Sequence, residues 1–258
     1  MLHRPSHPFR ASDTSLVGSP SGRLRGRIAR LNAQYAHSGA TEVFTAAMSS
    51  FKNLAMVSSF GADSVVLLHL AAQIDKDIPV LFIDTELLFD ETLRYQVRVS
   101  RMLGFTNVRV LRASDLHKND PGNQLHKTDP DACCHLRKTV PLNAALGEFD
   151  GWISGRKRHQ SGTRARLNMF EVEDSTQRIK VNPLALWNSD DMRRYMNATQ
   201  LPRHPLVAKG YPSIGCEPCT TPVAEGEDPR AGRWRETEKE ECGIHFVDGK
   251  MVRSGEPT

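Results

Sequence analysis

Leu54-Ala55-Met56-Val57-Ser58-Ser59-Phe60-Gly61-Ala62-Asp63-Ser64 is the stretch that decides the fold. Its first half is short and mostly apolar, as a buried strand is. Its second half is a turn opening a helix, Val65 to about Ile74. The same rhythm recurs downstream. Pro79–Asp84 reads as a second strand, and Asp90 as the N-cap of a helix that runs to about Leu103 and stops at Gly104. Val108–Leu111 is a third strand. Trp152-Ile153-Ser154 and Ile179-Lys180-Val181 are later strand candidates, and Asn188-Ser189-Asp190-Asp191 starts another helix. Strands alternating with helices imply an α/β fold, a parallel sheet with helices on both faces.

Upstream, Arg27 to about Phe51 carries apolar residues at helical spacing, interrupted at Ser38-Gly39, and predicts two helices. Residues 1–25 are rich in Pro, Ser, Gly and Arg and read as a disordered tail. After about Leu201 the pattern fades into loops. The expected organisation is tail 1–25, one nucleotide-binding domain 26–235, and a mobile C-terminal segment 236–258.

The 258 residues suit one large domain, and 39% apolar against 25% charged residues is enough to bury a core. No run approaches the ~18 apolar residues of a membrane helix, so no membrane association is expected. Net charge is 34 − 30 = +4, too small to name a partner by itself. Five cysteines at low density do not make a secreted disulfide scaffold, and Met1–Arg10 has no apolar signal core. A reducing cytoplasm is the expected location, where cysteines serve as metal ligands or nucleophiles.

Ser59, Phe60, Gly61, Ala62, Asp63 and Ser64 lie between strand and helix, where free N–H groups and the helix dipole attract phosphate. The Gly-Lys-Ser/Thr ending of a Walker loop is absent. Asp84 and Thr85 end the second strand at the same edge; they are placed to meet ribose or adenine, though Asp84 serves equally well as a loop cap. Cys133-Cys134 and Cys216-Glu217-Pro218-Cys219 form two close pairs, a donor set for zinc or an iron–sulfur cluster. Adjacent cysteines lack the knuckle spacing of zinc sites, whereas a cluster offers separate iron corners, so [4Fe–4S] is favoured.

Cys242, in Glu240-Glu241-Cys242-Gly243-Ile244-His245, is the odd cysteine. Its acidic neighbours disfavour the thiolate, and docking beside cations favours it. Arg156, Lys157, Arg158, Arg164 and Arg166 form a run with no acid, and Lys138, Arg230 and Arg233 add to it. Together they suit a multiply charged phosphate or sulfate. The run is too short, and too poor in interleaved aromatics, to predict nucleic-acid binding.

The turn at Ser59–Ser64 resembles the Ser-Gly-Gly-x-Asp-Ser loop of the adenine nucleotide alpha-hydrolase-like (ATP-pyrophosphatase-like) fold, with Phe60 in place of one glycine. Joined to Cys133-Cys134-His135-Leu136-Arg137-Lys138, Gln160–Arg164, Lys180–Leu184, Gly215–Thr220 and Glu241–His245, it resembles the assimilatory adenylyl-sulfate (APS) reductases of the phosphoadenylyl-sulfate (PAPS) reductase family. The resemblance implies that APS binds at the sheet edge, with residues 59–64 on the nucleotide. Cys242 attacks sulfur, AMP leaves, and thioredoxin or a glutaredoxin-like dithiol releases sulfite. The other four cysteines hold a [4Fe–4S] cluster. Lys138, Arg164, Arg230 and Arg233 face the phosphosulfate, Arg158 is a further substrate-binding candidate with no assigned contact, and His245 sits beside the nucleophile. PAPS reduction or dual specificity is the near alternative, and an ATP-dependent adenylating or tRNA-thiolating enzyme the distant one. The run Lys157-Arg158-His159 departs from the family's two arginines and an acid. Homo-oligomerisation stays open.

Overall fold

The computed structural model describes residues 19–160, 162–173, 175–235 and 239. Helix α1 (Pro20–Gln34) begins at Ser19, whose hydroxyl accepts from the Gly22 N–H, with Pro20 in the first turn where its missing N–H costs nothing. The helix therefore starts inside the stretch expected to be a tail; a cap and a proline outweigh the composition. Helix α2 (Ala40–Ser50) follows Gly39, whose N–H donates to the Glu42 carboxylate at 2.7 Å.

Strands and helices then alternate: β1 (Leu54–Val57), α3 (Ser64–Ile74), β2 (Val80–Ile83), α4 (Asp90–Leu103) and β3 (Val108–Leu111). Phe89, not Asp90, is the N-cap of α4. Asp90 and Glu91 occupy its first turn, where the dipole favours carboxylates. Gly104 ends it at φ +75°, a left-handed conformation open to glycine at no steric cost. Two single turns, α5 (Leu116–Asn119) and α6 (Leu125–Thr128), lead to α7 (Pro130–Cys134) and α8 (Val140–Leu146). Between α7 and α8, residues His135–Thr139 form a π-helical turn in which the Val140 N–H donates to the His135 carbonyl. The wider turn replaces the α-helical i,i+4 geometry between Cys134 and Lys138. Pro141 is accommodated in the first turn of α8. The chain finishes with β4 (Gly151–Ser154), β5 (Phe170–Val172), β6 (Ile179–Val181) and α9 (Ser189–Ala198). The Asn188 side chain caps α9 by accepting from the Asp190 and Asp191 N–H groups.

The sheet order is β3-β2-β1-β4-β6-β5. All pairings are parallel except β5 with β6, so the expected parallel sheet is present and carries one antiparallel strand at its edge. Met56, Val80, Phe82, Ile153 and Val181 face a core completed by α1–α4 and α9. Ala55, Val57, Leu81 and Trp152 face Leu142 and Leu146 of α8 on the other side. Both faces are thus covered, as near-continuous apolar strands require. The chain leaves β1 towards β2 and β3, then returns to β4 on the other side of β1. That reversal opens a crevice at the carboxyl ends of β1 and β4, the usual ligand position in such sheets.

Candidate active site

A cavity of about 240 Å³ occupies this crevice. Ser59, Gly61, Ala62, Asp63 and Ser64 line it, as the sequence predicts. The turn is held by its own side chains: the Gly61 N–H donates to Ser64 Oγ at 3.0 Å, and the Phe60 N–H to Ser58 Oγ at 3.2 Å. Phe60 departs from the expectation. Its side chain is fully buried in the core, edge-on to Phe82 at 5.3 Å between ring centroids, and it is not part of the cavity wall. It sits at φ +48°, where a residue with a Cβ costs about 1–2 kcal/mol. Burying the ring, worth roughly 1.5–3 kcal/mol, offsets that.

Lys138, Arg156, Lys157, Arg164, Arg230 and Arg233 also line the cavity, and Asp63 is the one acid among the described lining residues. Lys157 is 2% exposed and pairs with Asp63 at 3.2 Å; burial pushes its pKa down, against the pull of that carboxylate. Arg156 is held by Glu171 and by Asn182 Oδ1, and Arg164 donates to Gln160 Oε1 at 2.5 Å. The Arg233 guanidinium stacks over Trp234 at 4.4 Å and passes so close to Gly215 that a Cβ there would overlap it.

Two predicted residues are elsewhere. The Arg158 Nε–H donates to the Leu167 carbonyl at 2.8 Å, away from the cavity. Asp84 pairs with Arg112 at 2.8 Å and accepts from the Glu86 N–H, which makes it a loop cap. Arg156 and Lys157, named in the basic run without an assigned role, are the members beside the strand that line the cavity, because the strand's end, not the linear run, decides which neighbours turn inward. Cys242 and His245 lie outside the described residues.

Thr85 lines the cavity, and its hydroxyl is 3.3 Å from Cys216 Sγ. Cys133, Cys134 and Cys216 are buried and Cys219 is partly exposed. Burial, then the charges of Cys216 and Cys219, push the Cys133 thiol up to about 11, opposed by Arg137 and Lys138. The two pairs therefore share one neighbourhood. Among the described residues no three His, Cys, Asp or Glu groups converge as ligands of a single ion. An all-thiol donor set from two segments, flanked by cations, fits a cluster that spreads its irons. Cys216 and Lys138 belong to the cavity wall too, so the thiol centre adjoins the anion site. No helix among the described residues is long and apolar enough to cross a membrane.

A sequence model of the phosphoadenosine phosphosulfate reductase domain matches residues 53–222. The chain belongs to this family. It is 47% identical over 221 residues to the adenosine 5'-phosphosulfate reductase of Chelativorans sp. strain BNC1, covering 84% of this chain and 89% of that one. The enzyme of the same name from Mesorhizobium japonicum is 45% identical over 234 residues, with 89% and 91% covered. Among solved structures, the phosphoadenylyl-sulfate reductase of Candida auris in a phosphate complex superimposes with a TM-score of 0.67 at 26% identity, over 75% of this chain and 95% of that one. The FMN adenylyltransferase of Candida glabrata shares the fold alone, with a TM-score of 0.52 at 15% identity over 86% and 73% of the two chains. Within the reductase family match lie the turn, both cysteine pairs and the basic run. Arg230, Arg233 and Cys242 follow its end.

Proposed function

We propose that this chain reduces adenylyl sulfate to sulfite and AMP, as an oxidoreductase of sulfate assimilation in the reducing cytoplasm. The observation that carries the reading is the cavity at the β1–β4 crevice, with six cationic side chains and one carboxylate in its wall. The turn 59–64 and the amino end of α3 receive the nucleotide phosphate. Lys138, Arg164, Arg230 and Arg233 take the phosphosulfate. The Cys242 thiolate attacks the sulfate sulfur, the S–O bond to the AMP phosphate breaks, and AMP leaves with that electron pair. S-sulfocysteine remains. A thiolate of thioredoxin or a glutaredoxin-like dithiol then attacks Cys242 Sγ and sulfite departs. The second thiol of the donor resolves the mixed disulfide, so the donor supplies both electrons.

Thiolate and phosphosulfate repel each other. At ~4 Å and an effective dielectric of ~20 each pair of unit charges interacts by about 4 kcal/mol gross, so several cations reverse the barrier. Cys133, Cys134, Cys216 and Cys219 would hold the [4Fe–4S] cluster, which supplies a fixed charge beside Lys138 and ties two distant loops together. His245 sits beside the nucleophile in this reading.

The test is anaerobic sulfite release from APS with thioredoxin, for wild type and Cys242→Ser. Wild-type turnover, a sulfonate adduct on Cys242 with APS alone, and a dead variant are expected; sulfite production by the variant at the wild-type rate would falsify the mechanism. PAPS is the second reading. Lys157 supports it, since it brings to the turn a cation that residues 58–64 lack, though Asp63 already pairs with it. The ratio of turnover on the two nucleotides separates them.

A further inference from the structure

Between Arg235 and Cys242 the sequence is Glu236-Thr237-Glu238-Lys239-Glu240-Glu241, with one cation among four carboxylates. A segment of that charge is repelled by an anionic nucleotide and by thiolates. Yet Lys239 is 7% exposed at its side chain and is held by α7. Its ammonium donates to Asp131 Oδ1 at 2.5 Å and to the Pro130 carbonyl at 3.1 Å, and it also interacts with Cys134. The Trp234 ring, part of the cavity wall, is 5.7 Å from Nζ. The socket for this one lysine thus joins the first cysteine pair to the rim of the anion site.

We infer that Lys239 is a positioning residue: it fastens the segment that carries Cys242 to α7, beside the cysteine centre and the cavity rim. Covalent geometry sets the scale. Three residues span at most about 11 Å when extended, so fixing Lys239 confines Cys242 to that radius instead of the far larger volume open to a free tail. The inference rests on Cys242 being the nucleophile, but the tether itself is measurable without any chemistry.

The experiment uses the full chain with its metal centre retained, as wild type, Lys239→Met, Asp131→Asn and the conservative Lys239→Arg. Amide hydrogen exchange of the peptide spanning 236–258 is read by mass spectrometry. The rate of Cys242 sulfonation by APS, with no dithiol present, is read in parallel with the affinity for AMP. Lys239→Met and Asp131→Asn are expected to speed exchange in the peptide about tenfold and slow sulfonation about tenfold, with AMP affinity within twofold of wild type. Lys239→Arg, which keeps the charge and the donors, restores both. A merely structural lysine would not separate rate from affinity in this way. Unchanged exchange in Lys239→Met, no recovery in Lys239→Arg, or AMP affinity falling in step with the rate overturns the inference. A wild type that forms no sulfonate on Cys242 defeats the proposed reaction instead, and the exchange data still decide the tether.

Discussion

Asp120→Asn breaks one buried ion pair from one side. Asp120 and Arg137 pair at 2.7 Å with both side chains 1% exposed. Arg137 also donates to the Thr85 carbonyl at 2.7 Å and to Asn123 Oδ1 at 2.6 Å. Asp120 Oδ1 accepts from the Gln124 and Leu125 N–H groups at 2.8 and 3.0 Å. Burial alone would raise the Asp120 pKa; the Arg137 hydrogen bond and the two amides outweigh it and hold the carboxyl below its usual range. Asparagine keeps the shape and an acceptor for the amides, but it sets an NH2 donor where Oδ2 accepts from Arg137, so it removes the charge and that hydrogen bond together and leaves a guanidinium in the interior. Breaking a buried pair from one side costs about 3–5 kcal/mol, and the two other acceptors of Arg137 place this case near the lower end. At roughly 2–4 °C per kcal/mol for a chain of this size, the unfolding midpoint falls by about 6–12 °C. Thermal and urea unfolding of Asp120→Asn, Arg137→Met and the double variant measure it, and the double variant should lose less than the sum of the singles. The sign with pH follows from the lowered pKa. The contribution is fully present above the unfolded value of about 3.9 and is lost as pH falls through the folded one. Asp120→Asn therefore lacks that acid limb. A loss under about 1 kcal/mol with additive singles would refute the reasoning.

Gly215→Ala places a Cβ on the Arg233 guanidinium; kcat/KM for APS is expected to drop about 10²-fold, the scale of losing one charge-stabilising donor, with the unfolding midpoint little changed. Sulfite-release kinetics beside a melting curve check it, and a near-normal rate removes Arg233 from the site. Lys180 is buried over the Trp152 ring at 4.4 Å, and burial, then the Arg156 charge, lowers its pKa to about 7. The unfolded chain binds this proton up to about pH 10.4, so stability should rise between pH 7 and 10. Lys180→Met is expected to flatten that rise in urea-unfolding midpoints taken across the range; an unaltered slope shows that Lys180 stays charged.

The alternation of strands and helices was legible because β1 and β2 are buried on both faces and read as unbroken apolar runs. Strand β5 was not. It is three residues long, and the Asn32 side chain of α1 secures Phe170 by accepting from its N–H at 3.0 Å and donating to its carbonyl at 2.8 Å, a contact 138 residues apart in sequence. The π turn at His135–Thr139 leaves no periodic trace in five residues. The cationic site was legible as a collection and blurred at single positions. Arg158 turns away because its N–H is taken by the Ala185 carbonyl and its side chain by Leu167, while Lys157, one residue earlier, faces the cavity. The Asp120–Arg137 pair, split across 17 residues and two turns, carries no local signal.

The charge around the cavity explains why such distant segments depend on one another. Its cations come from the π turn, the end of β4, the short helix at Gly162–Arg164 and the 230–233 stretch, and no one of these would be more than a solvated basic face. Brought together they are costly: desolvation already pushes Lys157 down even with Asp63 against it. The described lining sets six cationic side chains against the single carboxylate of Asp63, with Glu171 behind Arg156. A ligand with two negative charges offsets more of that wall than one with a single charge. A phosphosulfate bears two charges separated by a single bridging oxygen, which allows separate cations to hold each end. Lys138 both lines this cavity and acts on the Cys133 thiol. A change of charge on the cysteines is therefore felt at the anion site through one side chain, and the sheet edge, the basic run and the two cysteine pairs work as one electrostatic unit.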